Sequence, residues 1–348
     1  MRFTSALVLL VVIGLGFVTS CIRDDAEPAS QDVNNARLYF STLEYQTNTA
    51  VAAYNNAYLI SPPDSPSFEN ISLSFNSGAR GGSVIYFDRN LQMVFHSSQN
   101  NLGDLDTTIY GLSVGTTGVL SSKSKIGNRL FQSIKGMAYD LGEDRLYAYD
   151  NISKAIYVTT APRSKINYAA IVTSFMLQNI SGWALSLVGP DMFMTKTGAN
   201  GGIAIFENIT SKTNATYTAF TPDHTITIDG SSNIRGISYD TVKDVLVLTD
   251  YELSGNESIG KIYIFENFKD SKDQSTLIPT RTITGAATGL LQPMDVAIDN
   301  RSTGKFIWVA DQRAKKILRF NISDNGNVEP GAAFNSTYTP VSLALDTR

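Results

Sequence analysis

The sequence predicts an all-β protein, a six-bladed β-propeller with four-stranded antiparallel blades. Three observations predict it. Short runs that alternate, or are rich in β-branched and aromatic residues, are separated by Gly, Asn, Asp and Ser, the punctuation of hairpins. The runs come in sets of four, and the sets repeat about every fifty residues. The chain also ends on a single strand-like run, and the strands that would complete its set lie near the other terminus. Closing the ring with strands from both termini hides two sheet edges that would otherwise be exposed.

The first run of each set is the clearest. VIYFD (84–88), GMAYD (136–140), WALSL (183–187), GISYD (236–240), DVAID (295–299) and SLALD (342–346) share one frame, with marker positions 88, 140, 187, 240, 299 and 346. Second runs come next as LQMVFH ending at His96, RLYAYD at Asp150, DMFMTK at Lys196, VLVLTD at Asp250 and FIWVAD at Asp311. Third runs are KAIYV (154–158), GIAIFEN (202–208), KIYIFEN (261–267) and KILRFN (316–321). Fourth runs, such as TITIDG (225–230) and TRTITG (280–285), are looser. The terminal PVSLALDTR is a first strand without successors, and RLYFST (37–42), AVAAYNN (50–56) and ISLSFN (71–76) are expected to complete it. The expected blades are therefore 82–133, 134–180, 181–232, 233–291, 292–339, and 340–348 joined with 34–81.

This repetition decides how to read RGISYDTVKDVLVLTDY (235–251), where Asp240 and Asp250 end two adjacent runs. A catalytic pair would occur in one place, whereas these acids recur around the ring. An Asp at a strand end can accept backbone N–H bonds from a turn, so the pair reads as punctuation.

Composition narrows the function. Of 348 residues 17% are charged, net charge is −4, and there is no basic stripe, which argues against a nucleic-acid partner. The N-terminus MRFTSALVLLVVIGLGFVTSC joins Arg2 to a thirteen-residue apolar run, Ala6 to Val18, too short to span a bilayer comfortably but suited to a signal peptide. Val18-Thr19-Ser20-Cys21 resembles the lipobox of bacterial lipoproteins, and Asp24, Asp25 and Glu27 resemble the acidic export signal of Bacteroidetes lipoproteins. That resemblance implies a signal peptide over 1–20, lipidation at Cys21 and a tether over 21–33, leaving one propeller domain over 34–348. Cys21 is the only cysteine, so no intramolecular disulfide forms, and acylation would account for the thiol. Nine Asn-x-Ser/Thr sequons leave a secreted glycoprotein as the other localisation.

The repeats resemble NHL and YVTN-type propeller units, most clearly in PTRTITGAATGLLQPMDVAIDNRSTGKFIWVADQRAKKILRF (279–320). The resemblance implies a fold and a binding architecture but no particular activity. In a propeller the residues opening the innermost strands line one mouth of the central channel. Here they are Ser83, Lys135, Trp183, Arg235, Asp295 and Val341 or Ser342. Lys135, Trp183, Arg235 and Asp295 are the candidate ligand-binding residues, two cations, an aromatic ring and an acid suited to a polar or anionic ligand.

No catalytic residue, cofactor or metal site is assigned. Gluconolactonase-like propellers hold a divalent metal through several oxygen ligands, whereas this mouth offers one acid between two cations. GDLDTT (103–108) spaces Asp104 and Asp106 like a calcium loop but lacks the remaining ligands. His96 is expected in a turn, and neither it nor His224 belongs to a catalytic motif. The expected protein is thus a monomeric, lipid-anchored binding or scaffolding module of the cell envelope, at the outer membrane or cell surface. Its partner is a protein, peptide or glycan. The alternative is a channel-centred enzyme, gluconolactonase-like or another hydrolase or lyase.

Overall fold

Alternating runs bury a sheet on both faces only if each sheet packs against a neighbour on either side, and a ring satisfies this for every blade. The computed structural model describes residues 36–45, 53–68, 70–100 and 105–348. The predicted signal peptide and tether, with Cys21, lie outside the described residues.

Six small antiparallel sheets form a six-bladed β-propeller. The innermost strands of blades 1 to 6 are Gly82–Asp88, Ile134–Asp140, Gly182–Val188, Ile237–Asp240, Pro293–Ile298 and Pro340–Asp346. Blade 6 closes the ring as the sequence implies. Pro340–Asp346 pairs antiparallel with Arg37–Thr42, Leu38 opposite Leu345 and Phe40 opposite Leu343, and Arg37 ion-pairs with Asp346 at 3.2 Å. One strand lies further along than expected. The third strand of blade 6 is the buried segment Ala57–Ile60, beyond the expected 50–56, of which 50–52 lie outside the described residues; Asn56 just before it donates its side-chain amide to Ala79 O and accepts Ser77 N.

The core is six layers rather than one. Each hydrophobic cluster lies between consecutive blades: Tyr147, Tyr149 and Phe175 of blade 2 meet Met192, Met194 and Phe206 of blade 3, for example, and Tyr39 and Leu59 of blade 6 meet Ile85 and Val94 of blade 1. Trp308, fully buried between blades 5 and 6, donates its indole N–H to Pro63 O at 3.2 Å. Truncating such a residue costs about 3–5 kcal/mol.

Two blades exceed four strands. Thr216–Phe220 leaves blade 3 to pair in parallel with Thr173–Leu177 at the outer edge of blade 2, and Thr276–Leu277 leaves blade 4 to pair with His224–Ile228 of blade 3. Both come from the segment between third and fourth strands. Comparable reaches between blades occur elsewhere: Gly127 bridges Tyr168, Ile283 bridges Gly326, Arg319 donates to Pro63 O and Ser65 O, and Tyr39 donates to Gly118 O. Such segments dock on a neighbouring blade and cover an outer edge that would otherwise invite pairing with another chain.

The recurring acids serve turns. Asp240 accepts Val242 N at 2.9 Å and Lys243 N at 3.0 Å just beyond its strand. Asp250, at 0% exposure, accepts Asn233 N, Ser232 N at 3.0 Å and Tyr263 Oη at 3.0 Å. Asp150 and Asp311 accept the equivalent N–H groups of Gln132, Ser133, Leu291 and Gln292. Each of these second-strand acids fastens the segment leading into its own blade's first strand. In blade 1 Ser98 stands in this place, accepting Arg80 N at 2.8 Å and donating to Asp106 at 2.5 Å, so that half of the GDLDTT pair is structural. Asp104 lies outside the described residues.

Candidate functional site

Those fastened segments deliver side chains to one end of the channel. β-Bulges at the start of the first strands, between Ile134 and Gly136 and between Gly182 and Leu185, leave Lys135 and Trp183 outside the regular pairing. A bulged residue is re-aimed relative to its neighbours. Gly136 and Gly236 allow the inner strands to approach: a Cβ on Gly136 would lie 2.7 Å from Leu185 N, and one on Gly236 2.7 Å from Asp295 Cα. Arg235 is held by backbone pairing with Thr249 and by Thr195 Oγ1, which donates to Arg235 O at 2.8 Å from the neighbouring blade.

The channel encloses a cavity of about 500 Å³, and Ser83, Lys135, Trp183, Arg235, Asp295, Val341 and Ser342 all line it. The four candidates do not form one cluster. Lys135 Nζ lies 5.2 Å from the Trp183 ring centre, and the Arg235 guanidinium 4.2 Å from the same ring. Arg235 also sits 5.3 Å from the Tyr251 ring and donates to Tyr251 Oη at 3.1 Å, so its position is set from two sides. Cation–π contact of this kind contributes about 0.5–2 kcal/mol, more as water is excluded.

Lys135 is 8% exposed, and its Nζ donates to Ser83 Oγ and Gln99 Oε1, each at 3.2 Å. Burial first, and the Arg235 charge second, bring its amine down to about 8. Among the described residues no carboxylate ion-pairs with Lys135 or Arg235; their partners are neutral. Two like charges around one indole, neither ion-paired with a carboxylate among the described residues, are costly unless something anionic joins them.

Asp295 turns the other way. Its carboxylate accepts Ser342 Oγ at 2.6 Å, Leu343 N at 2.9 Å and Val296 N at 2.9 Å, lacing blade 5 to blade 6. Burial raises it to about 6 against the opposing effect of those bonds. It occupies the mouth as a structural latch, while Lys135, Trp183 and Arg235 make the cationic cluster.

Further residues line the cavity that the first-strand frame does not point to, among them Leu43, Gln99, Tyr251 and Gln312. Leu43, Gln99 and Gln312 directly follow the second strands that end at Thr42, Ser98 and Asp311, and Tyr251 holds the same phase after Asp250 inside Val245–Ser254, so the repeat frame that locates the acids could locate them as well.

His96 is not in a turn. It lies inside Met93–Ser98 at 0% exposure, between Ser41 Oγ and Ser77 Oγ at 2.6 Å each, and burial lowers its imidazole to about 3. It joins blade 1 to blade 6 as a neutral core residue. Among the described residues no three His, Cys, Asp or Glu side chains converge as a metal site.

No protein-family model matches the chain, and no curated sequence does. Solved structures match its fold. A candidate 6-phosphogluconolactonase from Bacteroides uniformis superimposes with a TM-score of 0.56 at 11% identity, over 90% of this chain and 100% of that one. The periplasmic gluconolactonase of Pseudomonas aeruginosa gives 0.56 at 12% identity over the same shares. A candidate 6-phosphogluconolactonase from Bacteroides fragilis gives 0.55 at 12%, over 92% and 100%. At such identities the likeness is one of fold.

Proposed function

We propose that this is an exported, lipid-anchored binding propeller of the cell envelope, built from NHL-type repeats, whose channel mouth captures an anionic group. The observation that carries the binding reading is the pair Lys135 and Arg235, both stacked on Trp183 and neither paired with a carboxylate among the described residues. A structural lysine ordinarily extends its head to water or pairs with an acid. A partner protein, peptide or glycan would present a carboxylate there, and Arg235, pre-positioned by Trp183 and Tyr251, would receive it at small entropic cost. The anchor would be Cys21.

The test is a thermal-shift series on the full chain in detergent with small carboxylates, acidic oligosaccharides and peptides with free C-termini. A ligand at about a hundred times its Kd adds about 2.7 kcal/mol of native stability. A shift that disappears in Arg235→Gln supports the reading. Equal shifts in wild type and Arg235→Gln would place binding elsewhere and overturn it.

Lactone hydrolysis is a second reading, favoured by the names of the structural neighbours. Release of acid from gluconolactone and 6-phosphogluconolactone above the spontaneous rate, lost in Lys135→Met, would support it. A divalent metal has a poor donor set here, because among the described residues Asp295 is the single acid lining the cavity and is spent on blade 6.

A further inference from the structure

The anion-binding mouth admits a narrower chemistry, one that depends on the proposed capture of a carboxylate by Arg235. We propose that Lys135 is a covalent capture site, its amine condensing reversibly with the carbonyl of a small 2-oxo acid while Arg235 holds the acid's carboxylate.

Several features of the cavity support this. Lys135 is almost fully withdrawn from bulk water yet ends on a cavity of about 500 Å³, large enough for a small organic acid. Its two hydrogen-bond partners, Ser83 Oγ and Gln99 Oε1, are neutral, so neither holds the amine in its charged form as a carboxylate would. The strong charge set beside it is a cation, Arg235, on the same indole of Trp183. A lysine that is desolvated and set beside another cation is the arrangement by which an amine becomes nucleophilic near neutral pH. The shift of Lys135 to about 8 agrees, leaving roughly a tenth of the amine neutral one unit below that value.

Arg235 supplies the selectivity. Its guanidinium is fixed between Trp183 and Tyr251, and a planar fork of N–H donors suits a carboxylate better than an ammonium does. A ligand with a carboxylate for Arg235 and an electrophilic carbon adjacent to it for Lys135 is a 2-oxo acid. Val84, Ala184, Ile237 and Val296 of the inner strands add apolar patches to the cavity wall.

The chemistry balances without a further reactant. The neutral amine adds to the carbonyl carbon and the C=O electron pair moves to oxygen. A proton passes from nitrogen to that oxygen, giving a carbinolamine. Loss of one water, carrying the second N–H proton, leaves the C=N bond of an imine, and addition of water reverses the capture. No oxidant or reductant enters.

Other charged or titratable groups around Lys135 are accounted for. Arg235 opposes its charge, Asp150 acts on it at longer range but is occupied by backbone N–H groups, and Asp295 is turned to Ser342. Tyr251 is engaged by Arg235.

The experiment incubates the full chain with pyruvate and sodium cyanoborohydride, which reduces an imine to a stable secondary amine, and maps the adduct by peptide mass spectrometry. One adduct at Lys135 is expected, with labelling that rises through about pH 8. Lys135→Arg should carry none. Arg235→Gln should label at least tenfold less at low pyruvate and show its pH profile displaced upward, since removing a neighbouring cation raises the amine. Acetone, a carbonyl without a carboxylate, should lose in Arg235→Gln only the labelling that the upward shift of the amine accounts for, and none beyond it. Because the wild-type adduct is read directly, a failure of either variant to fold leaves the result interpretable. Labelling scattered over surface lysines with none favoured at Lys135 overturns the capture proposal. If lactate, which has a hydroxyl in place of the keto group, then still stabilises the protein in an Arg235-dependent way, the capture proposal falls and the anion reading stands. No adduct and no stabilisation by either acid would sink both.

Discussion

Replacing Lys135 with Met is expected to make the protein more stable at neutral pH. In the unfolded chain this amine has its ordinary value of 10.5, and in the fold it lies at about 8. At 1.36 kcal/mol per unit, keeping it charged inside the channel mouth costs about 3 kcal/mol. The direction in pH comes from proton counting. Between 8 and 10.5 the unfolded chain binds the extra proton, so wild-type stability rises with pH across that window, and the full penalty is present below it. Met removes the penalty but also loses the bonds to Ser83 and Gln99, about 1 kcal/mol together with the packing change. The net gain at pH 7 is about 2 kcal/mol, and it should largely vanish by about pH 9.5 as the wild-type penalty relaxes. Urea unfolding of both proteins at pH 7 and about 9.5 measures this, and other titrating groups, including the buried tyrosines, cancel in the difference. A Lys135→Met protein that is less stable than wild type by the same amount at both pH values would refute the reasoning. It would mean that the amine is paired and structural. A side chain whose removal stabilises the fold is one retained for something other than the fold.

Other outcomes rest on the same geometry. Asp250→Ala strands the N–H groups of Ser232 and Asn233 and the Tyr263 hydroxyl, and should lower urea stability by about 3–5 kcal/mol, whereas Asp250→Asn keeps one acceptor and should cost about 1–2; equal losses would remove the fastening role. His96, ordinarily near 6.5 and here near 3, binds its proton more readily once unfolded, so stability should fall by about 1.4 kcal/mol per pH unit as pH drops below 6.5, and the imidazole should still be neutral by NMR at about pH 5. Cys21→Ser should move the protein from the membrane fraction to the soluble one, and retention in the membrane would exclude a lipid anchor at that cysteine.

Much of the architecture was legible because a propeller states its plan repeatedly. GISYD, DVAID and SLALD each combine an alternating strand with an acid at its end, and the repetition itself identifies the acid as part of the turn. The incomplete terminal unit predicted the pairing of Pro340–Asp346 with Arg37–Thr42. The exception is Ala57–Ile60 in place of 50–56, since both runs are apolar and only the fold shows which one pairs with Arg37–Thr42. The parallel additions Thr216–Phe220 and Thr276–Leu277 were equally silent, since their partners belong to another blade.

The mouth divides the same way. Sequence by itself determined that Lys135, Trp183, Arg235 and Asp295 occupy one end of the channel, because each stands at the same phase of its repeat and period-two geometry fixes where that phase lies. Only the tertiary structure decided what they do there. Arg235 and Lys135 both come up against Trp183, which is supplied by the blade between theirs, while Asp295 is claimed by Ser342 and Leu343 of blade 6. His96 likewise became a core residue because Ser41 and Ser77 arrive beside it from the region where the two ends of the chain close the ring. The physical reason is one of range. Strand identity and phase are set by sterics and burial within a few residues, but the partner of a polar side chain depends on which distant strands the ring closure brings within about 3 Å of it.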